Sequence, residues 1–230
     1  PFFYLKNFLT NLFWFAIMLI YLAHTFLGGK MLPEFIKDKD FKENLKQKVT
    51  EWSGFCIYPL KAEILEEQIH NAMKENNLLS EWDAGSHKQG ADIDVEDFAF
   101  SVKSGKIEGV RVPKLSISSH RTTKYKTLSE KINFIDGKGK NYDAYFVLAR
   151  QEDKKNRKRK YTALCIDADF IKASSQKWSK TNSGWQTSWN NGVHMKIQKA
   201  MSDQLWIYVE QSKLILSLIH ISEPTRRTPI

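Results

Sequence analysis

Apolar residues along the chain recur at two different periods. Helical spacing is clearest over residues 60–76, where Leu60, Ile64, Ile69 and Met73 fall near one face and Glu63, Glu66 and Glu67 occupy the more polar side. Tyr58-Pro59 opens that segment. A strongly charged stretch over 35–52, with Phe41 and Leu45 four residues apart, predicts a surface helix that Trp52-Ser53-Gly54-Phe55 breaks. Thr127-Leu128-Ser129-Glu130 has the form of a capping box and predicts a further helix start. Period-two alternation predicts strands at 91–95 and 98–103, joined by the acidic turn Glu96-Asp97. Ser104-Gly105-Lys106 reads as a turn, and 110–117 as an edge strand, because Pro113 cannot donate to a ladder. The apolar, β-branched runs 142–149 and 161–166 predict central strands. Two more, at 194–199 and 205–210, flank Met201-Ser202-Asp203. These elements together imply an α/β fold with a mixed central β-sheet flanked by helices.

Both ends of the chain differ from this pattern. Residues 1–30 are rich in Phe, Leu, Ile, Tyr and Asn and carry no formal charge over 12–27, slightly short of a membrane-spanning helix. Gly28-Gly29-Lys30-Met31 matches the codons of a ribosome-binding site ahead of a start, so 1–30 is expected to be translated upstream sequence, with a membrane anchor as the alternative. Residues 214–230, and Ser217 to Ile230 above all, are expected to be adapter-derived sequence or a disordered tail. That leaves 31–213 as one domain of about 185 residues, enough for a sizeable core.

The formal net charge is +9. Lys6, Lys30, Arg226, Arg227 and Glu223 lie in the flanking segments, which leaves about +6 on the domain and suits a polyanionic partner. Cys56 and Cys165 are far apart and form no metal-ligand spacing, consistent with reduced thiols in the cytoplasm.

Chemistry concentrates in residues 90–106. On the second strand of the hairpin Phe98, Phe100 and Val102 point one way, and Ala99, Ser101 and Lys103 the other. On the first strand Ile93 and Val95 share a face, and Asp92 and Asp94 the opposite one. The ordinary reading is an amphipathic hairpin with a solvated polar face. The residues also resemble the PD-(D/E)xK nuclease superfamily, whose motif is an acid on one strand and acid-x-Lys on the next. Asp92 matches the first acid and Lys103 the lysine, while Ser101 stands where most members carry Glu or Asp.

The resemblance implies a restriction-endonuclease-like fold and a Mg²⁺-dependent endonuclease acting on double-stranded DNA. The implied type is a sequence-specific type II restriction enzyme. Asp92 would ligate metal with Asp94 as a second ligand, Lys103 would position or activate the water, and Ser101 would take a weaker role. The helix that opens such folds often supplies an extra glutamate, which points to Glu63 or Glu67. Glu130 is a third candidate, although the capping box already accounts for it. Partners implied are a second copy of the chain on a palindromic site and a cognate DNA methyltransferase, with no membrane role.

DNA contacts are expected at two places. Ser119, Arg121, Lys124 and Lys126 supply hydroxyls and cations of the kind that meet phosphates. The irregular stretch 174–192 interleaves Trp178, Trp185 and Trp189 with amides and hydroxyls, so Asn182, Gln186 and Asn190 are candidates for base reading. His87, just before the hairpin, and the basic run over 151–160 are weaker candidates. An inert DNA-binding protein and a repair or recombination nuclease remain as alternatives.

Overall fold

The computed structural model describes residues 32–56, 58–82, 91–109, 111–137, 141–153, 158–214 and 217–222. All that follows concerns the compact unit Glu34–Ile230. After a 3-10 turn at Glu34–Lys37 come two helices, α1 (Lys39–Phe55) and α2 (Ala62–Glu75). Strands β1 (Ser80–Glu81), β2 (Ile93–Val95), β3 (Phe98–Glu108) and β4 (Lys114–Arg121) follow, and then α3 (Leu128–Asp136). The chain returns through β5 (Ala144–Asp153), β6 (Lys158–Asp167), β7 (Trp178–Thr181) and β8 (Gly184–Thr187). It finishes with β9 (Val193–Gln198), β10 (Gln204–Glu210) and β11 (Ser217–Ser222).

One mixed sheet contains all of these strands, in the order β11-β6-β5-β3-β4-β10-β9-β8-β7, with β1 and β2 attached beside β3. Its parallel pair is β3 with β5, and β4 and α3 form the crossover between them. On the other edge β3 changes partner along its length. Phe98–Phe100 pair with β2, and Gly105–Glu108 pair with β4. Between them, Ser101 to Ser104 have no strand beside them on that edge among the described residues.

The predicted turn at Ser104-Gly105-Lys106 is instead continuous strand. A Cβ on Gly105 would come within 2.8 Å of Leu115 Cδ1 and 2.9 Å of Val147 Cγ1. The glycine is there so that β4 and β5 can pack close to β3, and no bend follows from it. The predicted helix break at Trp52 to Phe55 is also absent. Phe41, Leu45, Val49 and Ser53 form one buried stripe at spacings of four, and that burial carries α1 through Gly54. The tryptophan-rich stretch is an ordered hairpin of β7 and β8 rather than an irregular loop. Ser217–Ser222, expected in a tail, pair antiparallel with β6 as an edge strand.

Packing falls on both sides of the sheet. Phe41, Leu45, Leu65 and Ile69 of α1 and α2 are buried on one side, where the Phe100 ring meets Phe35 and Phe146. The other side buries Ile107, Leu115, Ile117, Phe134, Tyr145 and Ile207 in one cluster under α3. No helix among the described residues is long and apolar enough to cross a membrane. Residues 1–30, His87 and 223–230 lie outside the described residues.

Candidate active site at a fork in the sheet

The interval Ser101 to Ser104, where β2 has left the edge of β3 and β4 has not yet joined it, is a fork in the sheet. Backbone groups there need partners that no described strand supplies. Asp92 provides one of them. Its own N–H donates to Phe100 O at 2.8 Å, continuing the β2 ladder by one residue. Its carboxylate then turns into the fork, where Oδ2 accepts Val102 N–H at 2.6 Å.

Two side chains from β3 complete the cluster. Ser101 Oγ donates to the same oxygen at 3.2 Å, and Lys103 Nζ at 2.9 Å. Lys103 Nζ also donates to Val102 O at 2.8 Å. Ser101 is buried, whereas the Asp92 and Lys103 side chains keep about a fifth of their surface in solvent. Asp92, Ser101 and Lys103 are therefore brought together, with one open side.

The helix contributes a carboxyl, but from Glu66. Burial and the negative charge of Asp92 push it up to about 7, against the opposing pull of the Trp82 hydrogen bond and the Lys103 ammonium. Trp82 Nε1 donates to Glu66 Oε2 at 3.5 Å. Glu63 is exposed one turn earlier and adds to the pressure on Glu66, and Glu67 is exposed. The sequence did hold a signal for Glu66. It lies three, four and seven positions before the buried Ile69, His70 and Met73, at the margin of the core stripe, whereas Glu63 and Glu67 point away from it.

Glu130 is spent elsewhere. Its carboxylate accepts Thr127 N at 2.9 Å and Lys126 N at 3.0 Å, closing the capping box of α3, and these backbone N–H groups hold it below the usual carboxylate range. Asp94 is exposed on β2, opposite Ala99, two residues beyond Asp92.

A second polar chain faces the fork from β4, from β5 and from Tyr142 just ahead of β5. His120 Nε2 lies 3.2 Å from the Tyr142 hydroxyl, which donates to the Tyr145 hydroxyl, itself 3.3 Å from Ser119 Oγ. Burial, reinforced by Lys103 and opposed by Asp92, pushes His120 down to about 4. It is thus a neutral imidazole at physiological pH. Burial also pushes both phenols up, so they stay protonated.

The expected DNA contacts are scattered by the fold. Ser119 turns into the tyrosine chain. Arg121 is exposed at the end of β4, its Nε 3.4 Å from Gln204 Oε1, and Lys124 and Lys126 are exposed just beyond. Asn182 is exposed in the β7–β8 turn, Gln186 is half-buried in β8, and exposed Asn190 bridges Val193. β8 is four strands from β3, roughly 19 Å across the sheet. These three amides are not brought to Asp92.

A hard divalent cation takes oxygen ligands, with Mg²⁺ typically held by one or two carboxylates together with substrate phosphate. Asp92 and Glu66 can supply two carboxylates. Burial first and the Asp92 charge second disfavour the ionised Glu66 carboxylate, and a bound cation would oppose both. The fork thus fits a cation through two acids. Among the described residues no group of three or more His, Cys, Asp or Glu side chains is arranged to hold one. No family model matches the chain, and no curated protein or solved structure matches it significantly.

Proposed function

We propose that the protein is a Mg²⁺-dependent endonuclease that hydrolyses phosphodiester bonds of double-stranded DNA, as a type II restriction enzyme acting in the cytoplasm. The observation that carries this reading is the meeting of Asp92, Ser101 and Lys103 at the fork, with a Glu66 carboxyl that burial and the Asp92 charge push up to about 7. The same pairing switch on a central strand, backed by a parallel neighbour, supports a restriction-endonuclease-like fold.

A bound Mg²⁺ would polarise the phosphate and lower the pKa of a water. Asp92 and Glu66 would hold the ion, with Asp94 free to join from the adjacent exposed position. Ser101 and Val102 N–H fix the Asp92 carboxylate in place. Lys103 holds a proton at Nζ beside that carboxylate, where it can orient the attacking water or meet charge on the phosphate. Ser101 is a hydroxyl where a third acid would otherwise stand, and Glu66 makes up the charge from the helix. Exposed Arg121, Lys124 and Lys126 are suited to the DNA backbone. Action as a homodimer on a palindrome, alongside a protecting methyltransferase, completes the proposal.

The test is incubation of the intact chain with plasmid and phage DNA, with Mg²⁺ or with chelator, beside Lys103→Ala and Asp92→Ala. Discrete fragments that need Mg²⁺ and vanish in both variants are the expected result. A smear would retain the nuclease and remove the sequence specificity. Salt-sensitive DNA binding without cleavage would replace the enzyme with an inert binding protein.

A further inference from the structure

The helical layer covers only part of its side of the sheet. Its limit near β3 is marked by Ser104 Oγ, which donates to Leu60 O at 3.1 Å. Past that point the same face of the sheet is open, although the residues alternating with it, Ile107, Leu115, Ile117, Ile207 and Val209, are buried underneath. Two adjoining hollows lie on this open face, of about 480 and 400 Å³. Glu108, Ser116 and Tyr208 line both, so they form one trough.

The strand registers set out what the trough presents. Arg150 lies opposite Lys106, Lys106 opposite Ser116, Ser116 opposite Tyr208, and Tyr208 opposite His194. This single cross-sheet row spans five strands, roughly 19 Å. In the neighbouring row Ser118 faces Trp206, and Trp206 faces Lys196. Four cations, Arg150, Lys106, Lys114 and Lys196, therefore line the trough. Lys106 pairs with the one acid in the lining, Glu108, at 2.5 Å, and Arg150 pairs with Glu152 at 3.1 Å.

Its aromatic surface is continuous with these cations. Trp189, 40% exposed, stacks on His194 with ring centroids 5.2 Å apart, and His194 leans on Tyr208 at 5.6 Å. Lys114 Nζ sits 4.3 Å above Trp189 and Lys196 Nζ 5.5 Å above Tyr208. The Trp206 indole N–H is buried with no hydrogen-bond partner. Burial, together with the Lys196 and Lys114 charges, pushes His194 down, so the row of rings does not itself carry the positive charge.

Exposed rings beside ammonium groups, on an open sheet with hydroxyl and amide side chains between them, match what an unpaired nucleic-acid strand offers. Bases stack on aromatic faces and phosphates meet cations. A duplex keeps its base faces covered and would leave the rings unused. We propose that this trough binds single-stranded nucleic acid, with bases stacking on Trp189 and Tyr208 as the Lys114 and Lys196 side chains over those rings turn to the phosphates, which Lys106 and Arg150 also meet. This is a separate surface from the one predicted around Arg121 and Asn182, and it does not depend on the hydrolytic reading of the fork.

Binding of a short labelled oligothymidylate and of a duplex of equal length would be measured by anisotropy, on the intact chain with chelator present so that cleavage cannot contribute. Tryptophan fluorescence gives a second readout. The single strand is expected to bind more tightly, to quench tryptophan emission, and to weaken as salt rises. Trp189→Ala, at an exposed ring that the core does not need, should weaken it about fivefold or more. Lys106→Gln with Lys196→Gln should make the log–log salt slope shallower by about 0.7 for each phosphate no longer neutralised. Unchanged affinity in both variants, tighter binding of the duplex, or no binding at all would overturn the proposal. Failure here leaves the cleavage test untouched, because that test reads Mg²⁺-dependent fragments and not affinity.

Discussion

Lys131 and Lys103 each meet an aspartate oxygen, at 2.7 and 2.9 Å, yet the two surroundings have little else in common. Lys131 is buried between α3 and the end of β4. Its ammonium donates to Thr122 O at 2.7 Å and to Asp203 Oδ2, with Thr122 Oγ1 at 3.4 Å. Thr122 in turn donates through N and Oγ1 to Asp203 O. The ammonium has three acceptors and Thr122 is bonded through its N–H, hydroxyl and carbonyl, which makes a clamp between β4 and the turn into β10. At the fork one carboxylate oxygen serves three donors, a second carboxyl is pushed up to about 7, and a face stays open. A satisfied buried pair organises a fold, whereas an incompletely satisfied one is a place where something else can bind.

The contrast can be broken most forcefully by truncating each lysine and reading stability. Lys131→Ala leaves the Asp203 carboxylate and two Thr122 oxygens without their cation, and a loss of about 3–5 kcal/mol is expected in urea denaturation. Lys103→Ala should cost no more than about 1 kcal/mol, because its pair is partly exposed, while removing cleavage. Equal losses of stability would erase the distinction between clamp and site.

Glu66 sharpens the comparison through pH. Its carboxyl is raised from 4.5 to about 7 in the folded chain, so between those values the folded state holds a proton that the unfolded state has lost. Stability should therefore fall as pH rises from about 4.5 to about 7 and then level off. Glu66→Gln should flatten that limb and cut cleavage at least about tenfold. Mg²⁺ should raise the melting temperature of the parent above pH 7 and not that of the variant. A parent without this slope would mean that Glu66 is an ordinary surface acid.

The smallest effect is expected at Ser101. Ser101→Ala removes one 3.2 Å hydrogen bond to Asp92 and should cost about 1 kcal/mol, with cleavage largely kept because Val102 N–H and Lys103 still hold the carboxylate. Loss of cleavage comparable to Lys103→Ala would make the hydroxyl itself a catalytic group.

What was legible in the sequence was local. Alternation placed Asp92, Ser101 and Lys103 on a hairpin, the capping box at Thr127 to Glu130 is present, and helical spacing located α2 to within two residues at its start. What failed depended on neighbours distant in sequence. Gly105 signals a turn in isolation, but Leu115 and Val147 close over it and make it strand. Asn182 and Gln186 sit in a polar, tryptophan-bearing stretch that reads as a loop, and cross-strand pairing with β9 turns it into sheet. Glu66 is the exception, because helical spacing alone sets it at the margin of the buried stripe, from which Glu63 and Glu67 point away. The trough has no local signature, because Lys106, Ser116, Tyr208 and His194 are aligned by register and not by sequence.

The parallel pairing of β3 with β5 has a consequence for synthesis. Ala99 and Asp143 exchange hydrogen bonds across 44 residues, the Asp143 carboxylate taking the Ala99 N–H and the Asp143 N–H reaching the Ala99 carbonyl. The hairpin bearing Asp92 and Lys103 leaves the ribosome well before the strand that fixes its other edge. A nascent chain halted before β5 would carry all of the fork's acids and its lysine, but not the neighbour that holds them in place. On the proposed function, competence to cut would wait until β5 had been made.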